Sequence, residues 1–401
     1  MSSLSRRQFL AVAAGAVAAA GCTKSGAPAA APASSSTTTA TAAGPTRTLV
    51  VVELSGGNDA LNTVVPTAGQ YRDARPALAV PEADVVAVDG IAGAAGFHPA
   101  LAPLVDLWTA GDLAVVQGLG YDHAGRSHFE CRQHWWDGVE PMTQSATGWL
   151  GRWLDATQPD GVADPLRAVA IGTTAPMLQA LRSTPTVVLD PSDFGITGGP
   201  DPGSLTAALG KAADRSAAAG DLVAESAAVT RAALDAAHRL AGALGDAAPQ
   251  RSLAADLALA GELLSLDLGV EVLVVGTGGY DTHADQLARH QDLLADLAAG
   301  LVAFRAAAGD GALLVTTSEF GRRVAENGSG GTDHGLAGTH FVLGAGVAGG
   351  RSVGEVDLAM LHDGDVHPTV DPRSLFATAL DWLGGPTGDV VSSYEDLGLL
   401  R

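Results

Sequence analysis

The sequence predicts an α/β protein with a mostly parallel central sheet covered by helices on both faces, which is a three-layer sandwich. Short apolar runs rich in Val and Leu recur along the chain, and such runs are typical of strands buried on both faces. Longer alanine-rich stretches of helical character separate several of them. This alternation of strands and helices favours a parallel sheet.

The first predicted strand, Thr48 to Leu54, ends just before the glycine pair Gly56-Gly57. A helical segment from Pro99 to Ala110 then leads to the second strand. The predicted strands after it are Leu113 to Gln117, Ala168 to Ile171, Thr186 to Leu189, Glu271 to Val275, Ala312 to Thr317 and His340 to Leu343. Helices are predicted within Ser204 to Leu266 and Ala284 to Ala308, and the region of about 190–250 is predicted to be an inserted helical segment.

The first 22 residues indicate export. Arg6-Arg7 followed by the Ala/Gly/Val run up to Ala20 is typical of a twin-arginine signal. Ala19-Ala20-Gly21-Cys22 resembles a lipobox, with alanine where leucine is usual, so we expect Cys22 to be lipidated or the protein to be secreted. Residues 23–46 are almost entirely Ala, Ser, Thr and Pro and predict a disordered tether. Residues 47–401 then form a single domain.

The amino-acid composition limits the classes of partner that the protein can bind. The chain has 23 Lys and Arg against 44 Asp and Glu, and no basic stripe that could neutralise phosphates along a duplex. Nucleic acid is therefore excluded as a partner, and the membrane is expected only through a lipid anchor at Cys22. Cys131 is the one other cysteine, and we predict that it is buried, as free cysteines usually are.

Polar residues follow four of the predicted strands, and the carboxyl ends of parallel strands meet at one edge of a sheet. Asp59, in the loop after the first strand, is a candidate metal ligand or a turn residue. Ser127, beside Arg126, stands at the start of a predicted helix as a candidate nucleophile or an N-cap. Asp281 and His283 could converge on one metal, or serve as a helix cap and a solvated histidine.

The fourth group begins where the strand Ala312 to Thr317 ends. Glu319 is a candidate ligand there, although it could instead cap the next segment or pair with Arg322 or Arg323. Asp333 and His334 follow, flanked by glycines that allow the backbone to approach a ligand closely. His123, His290 and His340 are expected in the surroundings of the site.

These motifs resemble the bacterial family DUF1501. The shared features are the twin-arginine signal, the Gly-Gly-x-Asp loop at 56–59, Arg-Ser-His-Phe at 126–129, Gly-Gly-x-Asp-Thr-His at 278–283, Ser-Glu-Phe-Gly-Arg at 318–322 and Asp-His-Gly at 333–335. That family is similar to the alkaline phosphatase and sulfatase superfamily, so the resemblance implies an alkaline phosphatase-like sandwich. It also implies a hydroxyl nucleophile and one or two divalent metals.

By position, the resemblance makes Ser127 the nucleophile and implies metal ligation by Asp59, Asp281, His283, Glu319 and His334, with Asp333 as a further candidate. Phe320 stands where the superfamily has a histidine ligand. Arg126 or Arg322 would steady the oxyanion.

The sequence therefore predicts an exported hydrolase of phosphate or sulfate esters that uses Zn, Mn, Mg or Ca. Its substrate would be a small-molecule, glycan or lipid ester. The alternative is a non-catalytic member of the same fold that acts as a binding protein of the cell envelope.

Overall fold

The computed structural model describes residues 47–122, 125–139, 145–158, 160–191, 206–211, 222–244 and 251–401. Contacts divide the chain into two units, 1–44 with 203–231, and 45–202 with 232–401. In the first unit the described residues are 206–211 and 222–231, all of them helical. The second unit contains the described strands. The export signal and the tether of the sequence analysis lie outside the described residues.

The described strands form one large sheet and two small ones. In chain order they are β1 Thr48–Leu54, β2 Val64–Pro66, β3 Val86–Ala87, β4 Ala94–Phe97, β5 Leu113–Leu119, β6 Ala168–Ile171, β7 Thr186–Val188, β8 Val272–Thr277, β9 Ala312–Thr317, β10 Gly338–Leu343, β11 Ser352–Val353, β12 Leu361–His362 and β13 Asp365–Val366. The eight-stranded sheet has the order β11-β5-β10-β9-β1-β8-β6-β7.

Strand β10 runs antiparallel to both of its neighbours, while the other pairs in the large sheet are parallel. Strand β1 lies between β8 and β9, and its Glu53 is level with Gly276 of β8 and Thr317 of β9. The carboxyl ends of β1, β8 and β9 therefore meet at one edge, which is where open α/β sheets bind ligands.

Besides the helical residues 206–211, the structure describes ten α-helices: α1 Ala60–Thr63, α2 Gly69–Ala74, α3 Val105–Thr109, α4 His128–Asp137, α5 Trp149–Ala156, α6 Leu222–Leu244, α7 Leu253–Ser265, α8 Gln286–Ala307, α9 Pro372–Leu383 and α10 Thr387–Val390. Short 3₁₀ turns span Glu82–Asp84, Pro99–Leu104, Pro165–Arg167 and Pro176–Leu178.

Each face of the large sheet has its own apolar core. Val50 and Val52 of β1 point to one side, where Leu257 of α7 and Leu297 of α8 pack. Leu49 and Val51 point to the other side, against side chains of α5 and α9. Because successive strand residues face opposite ways, the continuous apolar runs of the sequence supply both cores, and the predicted three-layer α/β class is confirmed.

The segment predicted as a helix from Pro99 to Ala110 is instead a 3₁₀ turn followed by α3. Pro103 lies inside the turn and has no N–H for an α-helical hydrogen bond. The predicted insertion of about 190–250 is described only in part, and the residues seen at 206–211 and 222–244 are helical. Among the described residues no helix is long and apolar enough to cross a membrane.

Two buried histidines give the stability of the domain a defined pH dependence. Burial lowers the pKa of His290 to about 4 and the pKa of His340 to about 3. In the unfolded chain both titrate near pH 6.5. Below about pH 6.5 the unfolded state therefore binds more protons than the folded state, and stability falls as pH is lowered towards the folded pKa values.

We expect replacement of His340 by leucine to weaken this acid destabilisation. Between pH 7 and pH 5 the wild type should lose about 2 kcal/mol more of its unfolding free energy than the variant, since one buried imidazole is gone. Urea unfolding of both proteins at the two pH values measures the difference. Equal losses would show that His340 is not held neutral in the folded protein.

Candidate metal centre

Arg322 holds together the loops at the carboxyl edge of β1, β8 and β9. Its side chain is fully buried. It donates to the carbonyl oxygens of Gly57 and Thr332 at 2.8 Å each, to that of Tyr280 at 3.0 Å, and also to that of Gly56. The same guanidinium donates to Asp281 Oδ1 at 2.7 Å. Arg322 is thus fully engaged, and it fixes the position of Asp281.

The glycines of this edge are required by close backbone contacts. Gly56 has φ +125°, and a Cβ there would lie 2.3 Å from the backbone nitrogen of Asp281. A Cβ on Gly331 would lie 2.3 Å from the carbonyl carbon of His283. Neither position can accept a larger residue without moving a loop that carries a site residue.

Three histidines surround the carboxylate of Asp281. The Nε2 atoms of His283 and His334 lie 3.1 Å and 3.2 Å from Asp281 Oδ1, and His128 Nε2 lies 3.5 Å from Oδ2. The ligand atoms of His128, Asp281 and His334 all lie within 4.8 Å of one another. His283 joins this group through its Nε2, which is 2.9 Å from His334 Nε2.

Each imidazole is held by an acceptor on its other nitrogen. His128 Nδ1 is 2.9 Å from Glu319 Oε1, His283 Nδ1 is 3.1 Å from Asp333 Oδ1, and His334 Nδ1 is 2.8 Å from the carbonyl oxygen of Arg126. Carboxylate and carbonyl oxygens only accept, so the three Nδ1 atoms must carry the protons. The three Nε2 atoms face Asp281, either with an added proton or with a lone pair, and the neutral form protonated at Nδ1 is the tautomer in which Nε2 can bind a metal.

The arrangement needs a positive species at its centre. Two Nε2 lone pairs 2.9 Å apart repel each other unless a proton or a cation lies between them. Burial by itself raises the pKa of Asp281, but the hydrogen bond and charge of Arg322, with His334 and His283, outweigh it and lower the pKa. Asp281 is therefore a carboxylate. Three imidazoles and one carboxylate suit Zn²⁺ and similar divalent metals.

His128 lies between Glu319 and Asp281, since its Nδ1 faces Glu319 and its Nε2 faces Asp281. Its oxygens accept from the Gly56 amide at 2.9 Å, from His128 and from Arg132 Nε at 3.3 Å. Phe320 packs its ring 4.3 Å from the His334 ring and 4.9 Å from the His128 ring, measured between centroids. Glu319 orients His128, and Phe320 supplies an apolar wall.

Asp59 has partners of a different kind. Its side chain is fully buried in an ion pair with Arg75 at 2.6 Å, accepts from Gln286, and caps α1 by accepting from the amides of Leu61 and Asn62. Burial raises the pKa of Asp59, but the charge of Arg75, with smaller contributions from His290 and Gln286, lowers it overall. These contacts are those expected of Asp59 as a turn residue. We therefore do not include it among the proposed metal ligands.

Ser127 and Arg126 precede His128. Ser127 is exposed and is the N-cap residue of α4, but its hydroxyl makes no capping hydrogen bond. The guanidinium of Arg126 is engaged by the buried carboxylate of Asp365, which also accepts from Arg323. Arg126 thus contributes its carbonyl oxygen, which holds His334, while its guanidinium shares one carboxylate with Arg323.

Sequence reasoning did not select His128. It lies within Arg-Ser-His-Phe, where the resemblance directed attention to Ser127, and its neighbourhood to Asp281 depends on how α4 packs. Of the histidines expected nearby, His123 lies outside the described residues. His290 is 2.9 Å from Asn58 Oδ1, and His340 lies in β10 beside Trp135. Cys131 is buried, as predicted, and burial raises its pKa to about 12.

A family model described as "Protein of unknown function (DUF1501)" matches residues 137–398. The chain belongs to the DUF1501 family. Asp281, His283 and His334 lie within the matched part of this DUF1501 protein, while His128 and Ser127 precede it. A comparison with curated proteins finds no match.

Several solved structures are similar to this chain at low identity. The C-terminal periplasmic domain of EcEptC from Escherichia coli, in complex with Zn, has 12% identity and a TM-score of 0.40, over 88% of this chain and 85% of that one. Lipoteichoic acid synthase LtaP from Listeria monocytogenes has 10% and 0.37, over 88% and 76%. Alkaline phosphatase from the Antarctic bacterium TAB5 has 8% and 0.37, over 85% and 99%. At these TM-scores, none of them bears on what this chain binds.

Proposed function

We propose that this protein is an exported, metal-dependent hydrolase of phosphate or sulfate esters, acting on a small-molecule, glycan or lipid ester. The observation that carries the proposal is the set of three imidazoles whose Nε2 atoms face the carboxylate of Asp281. Asp281, His128, His283 and His334 would hold the metal. When bound, the metal would polarise the ester oxygen and stabilise developing negative charge.

The protein's own groups organise the site before substrate arrives. Glu319, Asp333 and the Arg126 carbonyl hold the three Nδ1 protons, so the rings cannot turn their lone pairs away. Such outer partners typically change metal affinity 10- to 100-fold. Arg322 keeps Asp281 charged and in place.

Ser127 is the proposed nucleophile. Its hydroxyl is exposed and free of a capping hydrogen bond, and it adjoins His128, whose ring centroid is 4.5 Å from that of His334. This adjacency supports Ser127 as the nucleophile beside the proposed metal centre. Export rests on Arg6, Arg7 and Cys22, and fractionation of cells that make the full chain would test it.

We expect the metal-loaded protein to hydrolyse p-nitrophenyl phosphate or p-nitrophenyl sulfate, and Ser127→Ala to lose activity by on the order of 10³-fold or more while keeping its metal. Ser265→Ala, which removes an exposed hydroxyl from the end of α7, is the matched control and should be fully active. Unchanged activity of Ser127→Ala would remove the covalent step and leave water as the nucleophile.

A second candidate function is a metal-containing binding protein of the envelope. Phe320 favours it, because an apolar ring occupies a position beside His334 where a further ligand would extend the centre. Stoichiometric metal without turnover of either ester would support this second function over hydrolysis.

A further inference from the structure

We infer that Arg132, together with the metal centre, forms a subsite for a tetrahedral oxyanion, the phosphate or sulfate group of an ester. The inference rests on the proposed function, since it names the residue that would recognise the charged group of the substrate. Arg322 is fully buried, and Arg126 donates from both Nε and Nη2 to Asp365. Arg132 donates from Nε alone.

Arg132 lies directly beside the centre. It follows His128 by four residues on α4, so both side chains are on the same face of the helix. Both donate to the same atom, Glu319 Oε1, from His128 Nδ1 at 2.9 Å and from Arg132 Nε at 3.3 Å. One carboxylate oxygen therefore ties the guanidinium to a histidine whose Nε2 faces Asp281.

The outer half of this guanidinium is available. Its Nε bond to Glu319 is the one hydrogen bond of Arg132 to a described residue, which leaves the N–H groups of Nη1 and Nη2 without an acceptor in that part of the chain. The side chain is 35% exposed, whereas Arg322 is 0% exposed. Arg323, another arginine of this edge, shares Asp365 with Arg126.

Glu319 pairs with Arg132 through Nε alone and leaves the outer N–H groups of the guanidinium available to an anion. Glu319 is shared with His128 and with the Gly56 amide. Glu53, the other carboxyl close to Arg132, is buried and accepts from Trp136 Nε1 at 2.7 Å and Thr173 Oγ1 at 3.1 Å. Both oxygens of Glu53 are thus used within the protein, and burial raises its pKa.

The chemistry matches a tetrahedral oxyanion. A guanidinium offers parallel N–H groups that bind two oxygens of a phosphate or sulfate group. The remaining oxygens of the group would be available to a cation held by Asp281 and the histidines. A neutral ester would leave the Nη groups unpaired, so the subsite selects charged substrates.

The experiment measures anion affinity by calorimetry with the full-length, Zn-loaded protein, using inorganic phosphate, sulfate and formate as probes. We expect Arg132→Gln to weaken phosphate or sulfate binding about 10- to 100-fold, because charge-assisted hydrogen bonds are lost. Arg132→Lys should recover only part of the affinity, and formate should depend less on Arg132. Comparison of the phosphate and sulfate titrations shows which group the subsite prefers.

Arg72→Gln is the matched control. Arg72 has a similar exposure of 33% and one carboxylate partner, Glu82, at 3.8 Å, but it belongs to α2. Its replacement should leave anion affinity unchanged. Zn content is measured for every variant, so that loss of metal is not mistaken for loss of the arginine contact.

Equal anion affinity of the wild type and Arg132→Gln at equal Zn content would overturn the subsite. Ester hydrolysis is measured on the same variants, which separates the two proposals. Arg132-dependent anion binding without ester hydrolysis would keep the subsite and reject the hydrolase. Hydrolysis with no dependence of KM or anion affinity on Arg132 would keep the hydrolase and reject the subsite.

Discussion

Replacing Asp281 by asparagine is expected to abolish metal binding and, with it, hydrolysis. Asp281 provides the one carboxylate that all three Nε2 atoms face, and an amide supplies no negative charge to a divalent cation. Because outer partners alone change affinity 10- to 100-fold, loss of this ligand should cost at least about 100-fold. Competitive titration with a chromophoric chelator measures the affinity.

Asp333→Asn is the graded comparison for that result. Asp333 is exposed and contacts His283 only through Nδ1, so its replacement should weaken metal binding without abolishing it.

In the Asp281→Asn variant, the asparagine can still accept from Arg322, which keeps the fold intact. Metal affinity of Asp281→Asn equal to that of the wild type would place the cation elsewhere.

Replacing Asp59 by asparagine is expected to produce the opposite pattern, a large loss of stability with metal binding retained. Asp59 and Arg75 are both 0% exposed and pair at 2.6 Å. Removal of one partner leaves the other charge buried and uncompensated, which costs about 3–5 kcal/mol. Urea unfolding measures the loss of free energy, and the chelator titration is repeated under conditions where the variant is folded.

The same Asp-to-Asn change at positions 59 and 281 thus separates structure from metal chemistry. If Asp59→Asn lost the metal while its unfolding free energy stayed within about 1 kcal/mol of the wild type, Asp59 would be a ligand, as the superfamily resemblance implies. We would then have to place the cation nearer to the Gly56-Gly57 loop.

The strands of the large sheet could be predicted because short continuous apolar runs are typical of strands buried on both faces. The bounds of β1, β6 and β9 agree with those expected. The reversed direction of β10 could not be predicted, since a run such as His340 to Leu343 reads the same for a parallel and an antiparallel buried strand. The two-residue strand β11 carries no periodic signal.

The loops that form the site could be predicted from the sequence, but the contact partners of their side chains could not. Glycine-flanked Asp281, His283 and His334 follow buried strands, so their neighbourhood follows from parallel-strand geometry. Whether a carboxylate meets an arginine or a histidine depends on long-range packing. Asp59 meets Arg75, and Glu319 meets His128 and Arg132 from a helix about 190 residues earlier in the chain. No local spacing encodes these pairs.

X-ray absorption at the Zn edge, on the full-length protein loaded with one equivalent of Zn²⁺, tests the proposed metal centre most directly. We expect close to one bound Zn per chain, scattering from three imidazoles with oxygen completing the shell, and loss of this signal in Asp281→Asn. A shell with one imidazole or none, or a spectrum unchanged in Asp281→Asn, would contradict a centre built from His128, Asp281, His283 and His334.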